Sequence, residues 1–263
     1  MPQTQQAKSG PLAAPNELAA LFQAVREDLL LIALLHDREL DRDTMMSLWE
    51  DCYEDFLGLR LQGAPATDSL RLLRQGLDDI PIDLDQKTLD ILAAEYADIY
   101  LNFSLHTSPC ESVWVDEDGL TMQDAMFQIR DWYARHGLAV ENWRMRSDDH
   151  LVTQLQFLAY LLERNPGLER LGETARFLDE HLLRWIGEFA ERVSARCKTR
   201  LYAGLAALTA AYLDEFRDLA AELLDSPRPS AEEIEERMRP KQTAPGIAVA
   251  APGPFVPGTA PSW

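Results

Sequence analysis

Residues 147–167 read SDDHLVTQLQFLAYLLERNPG. Ser147 is placed to cap a helix, with Asp148, Asp149 and His150 in its first turn. A long apolar run follows from residue 151, and Asn165-Pro166-Gly167 stops it. The first turn of a helix offers free backbone N–H groups and the positive end of the dipole, both of which stabilise carboxylates. Two anions beside one imidazole favour the imidazolium form of His150. The pair is therefore expected at an exposed helix start, where truncating Asp149 and His150 leaves the helices intact.

The helical pattern extends to both sides. Upstream, Asn16 opens a helix with Leu18, Leu21, Phe22, Val25 and Leu29 on one face. Asp43 opens a second with Met45, Leu48, Trp49, Cys52 and Phe56, and Thr67 a third reaching Leu77. Asp85 opens a fourth in which Leu89, Leu92, Tyr96 and Ile99 or Tyr100 align. Thr121 with Asp124 resembles a capping box for a helix carrying Met122, Ala125, Met126, Ile129 and Tyr133, and Gly137 terminates it. Downstream, two long helices are predicted over about 168–196 and 199–225, and Ser230 with Glu233 caps a last, acidic one. No run alternates as a strand does. The predicted fold is all-α, a globular bundle of about ten helices with no sheet. Residues 1–15 and 241–263, rich in Pro, Ala and Gly, read as disordered tails around a helical domain at 16–240.

The chain has 263 residues, 46% of them hydrophobic, enough for a substantial core. Its 44 acidic residues against 25 basic ones give a net charge of −19. Such a surface repels nucleic acid and anionic membranes; it either favours cationic partners or serves solubility alone. Cys52, Cys110 and Cys197 are widely spaced and form no C-x-x-C pair, as suits a reducing compartment. The N-terminal stretch has neither an apolar core nor twin arginines, and the longest apolar run, 29–35, is too short to span a bilayer. A cytoplasmic location is the expectation, with no membrane insertion.

Templates for catalysis fail one by one. No phosphate loop, G-x-G-x-x-G, H-E-x-x-H or G-x-S-x-G occurs. Histidines 36, 106, 136, 150 and 181 never stand three or four apart, and His106 with Cys110 lacks a second metal-binding pair. No catalytic residue, metal or cofactor is expected.

Five elements in order then bear on function. Asp149, His150, Leu151, Gln154 and Leu155 form an Asp-His-Leu-x-x-Gln-Leu pattern. Tyr96, Ile99 and Tyr100 precede it, as does a loop with Pro109, Ser112, Val113 and Trp114. His181, Leu182 and Trp185 follow it, and then Tyr202, Leu205 and Ala206. Over roughly 89–213 this layout resembles the TorD/DmsD/NarJ family, cytoplasmic chaperones that mature molybdenum-cofactor oxidoreductases. Two positions depart from the family pattern. Cys110 stands where an aromatic usually follows the proline, and Ser147-Asp148 replaces a common Glu-Pro.

The resemblance implies a binding protein without catalysis. Its partner would be the catalytic-subunit precursor of a molybdenum oxidoreductase, held by its twin-arginine leader or apoprotein until cofactor insertion. Asp149 suits a guanidinium, and Tyr96, Tyr100 and Trp114 suit the apolar part of a leader. With His150, Pro109, Ser112 and Gln154 these are the candidate client-binding residues. The resemblance also implies two helical subparts with a hinge somewhere after Val115, permitting either a monomer or a domain-swapped dimer. An all-α adaptor unrelated to molybdoenzymes and a weak nucleotide hydrolase are the alternatives.

Overall fold

The computed structural model describes residues 15–51, 57–102, 104–163 and 166–239. Among these are eleven α-helices and no β-strand, in keeping with the all-α expectation. Cys52, Phe56 and the two predicted tails lie outside the described residues apart from Pro15.

Two helix pairs build the core. Helix α1 (Pro15–Asp37) packs along α7 (Leu151–Glu163), and α3 (Ala64–Asp78) packs on α10 (Arg200–Leu224). The apolar face of α1, with Phe22, Val25, Leu29 and Ile32, is buried against α7, which itself hides Leu151, Val152, Leu155, Phe157 and Leu158. Each such side chain contributes about 1.5–3 kcal/mol of hydrophobic stabilisation. The α3–α10 crossing is closer than side chains of ordinary size allow. A methyl group added at Gly76 would overlap the backbone of Arg200 and Leu201, and one at Gly204 the backbone of Leu72 and Leu73.

The other helices close the bundle around these pairs. They are α2 (Arg42–Asp51), α4 (Gln86–Tyr96) continuing as a π-helical turn Ala97–Leu101, α5 (Ser112–Val115), α6 (Asp124–Arg135), α8 (Leu168–Glu180), α9 (Ile186–Arg196) and α11 (Ala231–Met238). Polar ties are buried with them. Asp28 on α1 accepts bonds from the Gly58 and Leu59 amides and the Tyr212 hydroxyl at 2.7–2.9 Å. Arg217 on α10 forks onto Asp179 on α8 at 2.8 and 2.9 Å.

Several helix boundaries fall where local chemistry differs from the sequence expectation. Asp85 caps α4 through the Thr88 amide, Ser230 and Glu233 form the full capping box of α11, and Gly137 adopts φ +71° after α6, all as expected. In contrast, α2 is capped by Asp41, which accepts from the Thr44 amide at 2.9 Å, rather than by Asp43. Helix α3 starts from Gly63 with a proline in its first turn, before Thr67. Helix α6 starts without a side-chain cap at Gln123, so Thr121 and Asp124 make no capping box. The single helix expected over 168–196 is two helices, broken by His181 at φ −128°, ψ −88° and a 3-10 turn, Leu182–Arg184. Helix α7 begins at Leu151, which puts Asp148, Asp149 and His150 in the turn before it.

Candidate binding site

Two stretches forty residues apart meet where the sequence patterns lie. Cys110 and His150 form an isolated antiparallel bridge: the Leu151 amide donates to the Pro109 carbonyl at 2.7 Å, and the Glu111 amide to the Asp149 carbonyl at 3.1 Å. Asp149 locks this join. One carboxylate oxygen accepts from the Ser112 amide at 2.8 Å and from its hydroxyl at 2.6 Å, and the other accepts from the Ser147 hydroxyl. Gln154, one turn into α7, donates to the Asp149 carbonyl at 2.9 Å. Its neighbour Asp148 pairs with Arg130 on α6 at 2.6 Å, and its carbonyl accepts from the Tyr133 hydroxyl at 2.9 Å.

This arrangement corrects the expected exposure of the acidic pair. Asp149 is 0% and Asp148 2% exposed. Both carboxylates are turned away from His150 to other donors, so the imidazole lacks the anionic neighbours that were to charge it. Burial pushes the His150 pKa down to about 3, with Arg146 and His36 nearby adding to the effect, and the ring is neutral. Its Nδ1 accepts from the Val152 amide at 3.2 Å, which serves the start of α7.

The aromatic candidates divide. Tyr96 and Tyr100 are core residues, and the expectation that they cover a bound segment does not match their burial. Tyr96 donates to the Asp37 carbonyl at 2.7 Å; burial first, then the Asp37 charge, raises its pKa to about 12. Tyr100 reaches His36 Nδ1 at 2.6 Å, while His36 Nε2 lies 2.8 Å from the Thr209 hydroxyl. Thr209 gives its one hydroxyl proton to the Leu205 carbonyl, so His36 donates from Nε2 and accepts the Tyr100 proton at Nδ1. That neutral tautomer fits a pKa lowered by burial to about 3. Trp114 is only half-buried. Its indole N–H donates to the Ser108 carbonyl at 2.8 Å, its ring stacks near Trp185, and the Arg192 guanidinium lies 4.3 Å over it.

The loop before α5 is therefore pinned on every side. Pro109 is buried beneath it, and Arg196 on α9 donates to the Leu105 carbonyl at 2.6 Å. The sequence reading missed Glu111, which is wholly buried at the centre. Its carboxylate is 3.1 Å from His181 Nδ1 and 3.7 Å from Arg184, which also bonds Glu235 of α11 at 2.9 Å. Its one sequence signal is a charged residue set between Cys110 and Ser112 in the loop pattern. Beside the loop opens a cleft of about 370 Å³, lined by Val115, Asp116, Glu117, Gln123, Asp124 and, across it, Arg184 and Glu235.

Three of the five sequence patterns thus converge on one knot: the Pro109–Trp114 loop, the Asp149–Gln154 start of α7, and the His181–Trp185 break. The tyrosine pattern abuts it, since Tyr100 lies 6.4 Å from Phe189, which also packs on Trp114 and Trp185. Among the described residues no group of three or more His, Cys, Asp or Glu is arranged to hold a metal, and no helix is long and apolar enough to cross a membrane.

What fold and site define is an all-helical protein whose ordered sequence patterns clamp one loop to the start of a central helix. Residues 63–191 match the family model of the nitrate reductase delta subunit. The chaperone protein TorD of Vibrio cholerae serotype O1 is 32% identical over 141 residues, 51% of this chain and 64% of that protein. The probable Tat proofreading chaperone DmsD of Haemophilus influenzae is 30% identical over 113 residues, 43% of this chain and 53% of that one. The TorD of Aliivibrio fischeri aligns over 95% of its length at 22% identity. The chain thus spans 64% or less of the first relatives it matches. In these matches it is similar to the TorD/DmsD/NarJ family.

Proposed function

We propose that this protein is an assembly chaperone without catalysis of its own. It binds the leader or apoprotein of a molybdopterin-cofactor oxidoreductase in the cytoplasm and holds it for cofactor insertion, before export or complex assembly. One observation carries the reading: patterns scattered over the sequence meet in one pinned loop, which leaves Trp114 half-buried and leads into Asp116 and Glu117 on the wall of a cleft. In this reading Pro109, Ser112, Asp149, His150 and Gln154 hold the loop, and Tyr96 and Tyr100 support it from the core. Trp114, Asp116 and Glu117 face the client, whose arginines meet the carboxylates and whose apolar stretch meets the indole.

Titration calorimetry with purified precursors encoded near this gene tests it. A precursor is expected to bind, and to bind more weakly as salt rises, because part of the attraction is between charges. Trp114→Ala and Asp116→Asn with Glu117→Gln are expected to weaken binding at least tenfold while the circular dichroism spectrum is unchanged. Failure of every such precursor to bind the wild-type protein sinks the reading.

A further inference from the structure

We propose that the segment following Arg239 folds back onto the cleft beside the motif loop as an intramolecular competitor, so that the protein carries a mimic of its own client. The competition rests on the chaperone reading; the contact itself does not. The cleft has a volume of about 370 Å³, and Asp116, Glu117 and Asp124 stand on its wall. The two cations of the lining are already engaged. Arg184 pairs with Glu235 and lies 3.7 Å from Glu111, and Arg239 pairs with Glu236. The Asp116 carboxylate accepts from the Asp118 and Leu120 amides at 3.1 Å, and none of the three wall carboxylates has an ion-pair partner among the described residues. Val115 adds an apolar side to the lining, and Leu120 and Met122 lie exposed in the turn that leads on to Asp124. The cleft therefore lacks cations and offers apolar cover next to the half-buried Trp114.

The described chain ends in this same place. Met238 and Arg239 line the cleft, and Gln128 of α6 donates to the Met238 carbonyl at 2.8 Å. Residues 240–263 therefore set out from the cleft wall, and their composition is unlike that of the rest of the chain. From Arg237 to Trp263 the sequence has three cations, Arg237, Arg239 and Lys241, and no carboxylate, although the whole chain carries 44 acidic residues against 25 basic ones. After Lys241 come Ile247, Val249, Phe255 and Val256, set among Ala, Gly and Pro. Cations first and an apolar stretch behind them is the chemistry that a client leader offers to the carboxylates and the indole. The reach suffices. Lys241 is two residues beyond Arg239, at most about 7 Å along the chain, and Ile247 is eight beyond it, at most about 29 Å.

Tethering decides whether so modest a contact counts. A segment joined to its site through a short stretch of chain meets it at an effective concentration on the order of 1 mM. A segment whose own Kd is about 0.1 mM would be bound in roughly nine molecules of ten, and would weaken an incoming client's apparent affinity roughly tenfold. A client that binds far more tightly still displaces it. The Arg239–Glu236 pair does not prevent this, because both of its side chains are exposed and such pairs hold weakly. The segment thus covers the cleft while no client is present and yields to one that makes the same contacts better.

The test uses the full chain. A carbodiimide, which joins amines to carboxylates without a spacer, should link Lys241 to Asp116, Glu117 or Asp124 within one molecule, as located by mass spectrometry. A synthetic peptide of residues 239–256, RPKQTAPGIAVAAPGPFV, is the second probe. It should bind the variant Lys241→Glu with Ile247→Asp and Val249→Asp at least tenfold more tightly than it binds the wild type, whose cleft is covered. Adding Asp116→Asn and Glu117→Gln to that variant should weaken the peptide at least tenfold again. No link from Lys241 to these carboxylates, a link formed only between two molecules, or equal peptide affinity for wild type and the first variant overturns the proposal. Oxidoreductase precursors then separate the two readings. A precursor that binds should bind the first variant at least tenfold more tightly than wild type, and equal binding overturns the competition. Failure of every precursor to bind either protein sinks the chaperone reading, while the link and the peptide still decide whether the segment docks.

Discussion

Asp149 accepts bonds from Ser112 and Ser147, which approach it from different stretches of chain, and all three side chains are buried or nearly so. Asp149→Ala leaves the Ser112 donors stranded inside the protein, and should reduce stability in urea by about 3 kcal/mol, since bonds to a charged group are worth about 1.5–3 kcal/mol each. Ser112→Ala, which keeps the backbone bond, should cost about half as much. A stability of Asp149→Ala equal to wild type would return the residue to an exposed helix start. The Asp-His pattern stood out in the sequence; the burial of Asp149 did not, because nothing in 147–163 announces a loop folding over it from residues 109–112. His36 gives a second measurable effect. Its pKa lies near 3 in the folded protein, held down by burial, against about 6.5 when unfolded. The unfolded chain alone takes up this proton below pH 6.5. The stabilisation is therefore complete above that pH and declines as pH falls toward 3, by about 1.4 kcal/mol per pH unit for each such histidine. His150 adds to the slope with the same sign. Asp28, whose carboxyl burial raises, acts oppositely but equally in wild type and variant. Urea melts between pH 7 and 4.5 should show a shallower decline for His36→Gln; parallel curves would mean that His36 is charged in the fold.

At the scale of elements, periodicity predicted helices well and their ends less well. The stretch 168–196 has unbroken apolar spacing, yet it breaks at His181 because that imidazole and Arg184 turn toward Glu111. A tertiary contact outweighs local helix preference there, and such contacts have no local signature. The crossing of α3 and α10 was equally hidden. Glycine within a helix ordinarily weakens it, whereas the structure uses Gly76 and Gly204 each to admit the other helix's backbone. Alanine usually stabilises a helix relative to glycine by about 1 kcal/mol. Here Gly204→Ala should instead destabilise by roughly 3 kcal/mol or more, because the two helices must separate along their whole contact. Thermal melts would show it as a drop of several degrees; an unchanged or raised melting temperature would mean that the crossing relaxes freely.

Across the whole molecule, the helices before Val115 do not form a unit apart from those after it. Helix α1 lies on α7 and α3 on α10, so a hinge after Val115 would exchange both of these interfaces together. The sequence predicted the all-helical class because apolar spacing is a property of each segment. It was silent on this interleaving, which depends on which segments meet. The turn at residues 117–122 is exposed, apart from no anchor deeper than the Asp116 carboxylate, which accepts from the Asp118 and Leu120 amides at 3.1 Å. Met122 there sits at φ +59°, a region unfavourable to its side chain. A protease should cut this turn first, yet the cut ought to go unnoticed by the fold. The Asp149–Ser112 join and both helix pairs would hold the pieces, giving a nicked protein that migrates as two bands in denaturing gels and as one species in gel filtration. The same two pieces, synthesised as separate polypeptides, should find each other and reassemble. In that sense the clasp between Pro109 and Leu151 makes the covalent link between the halves dispensable: the chain is a heterodimer that happens to be encoded as one.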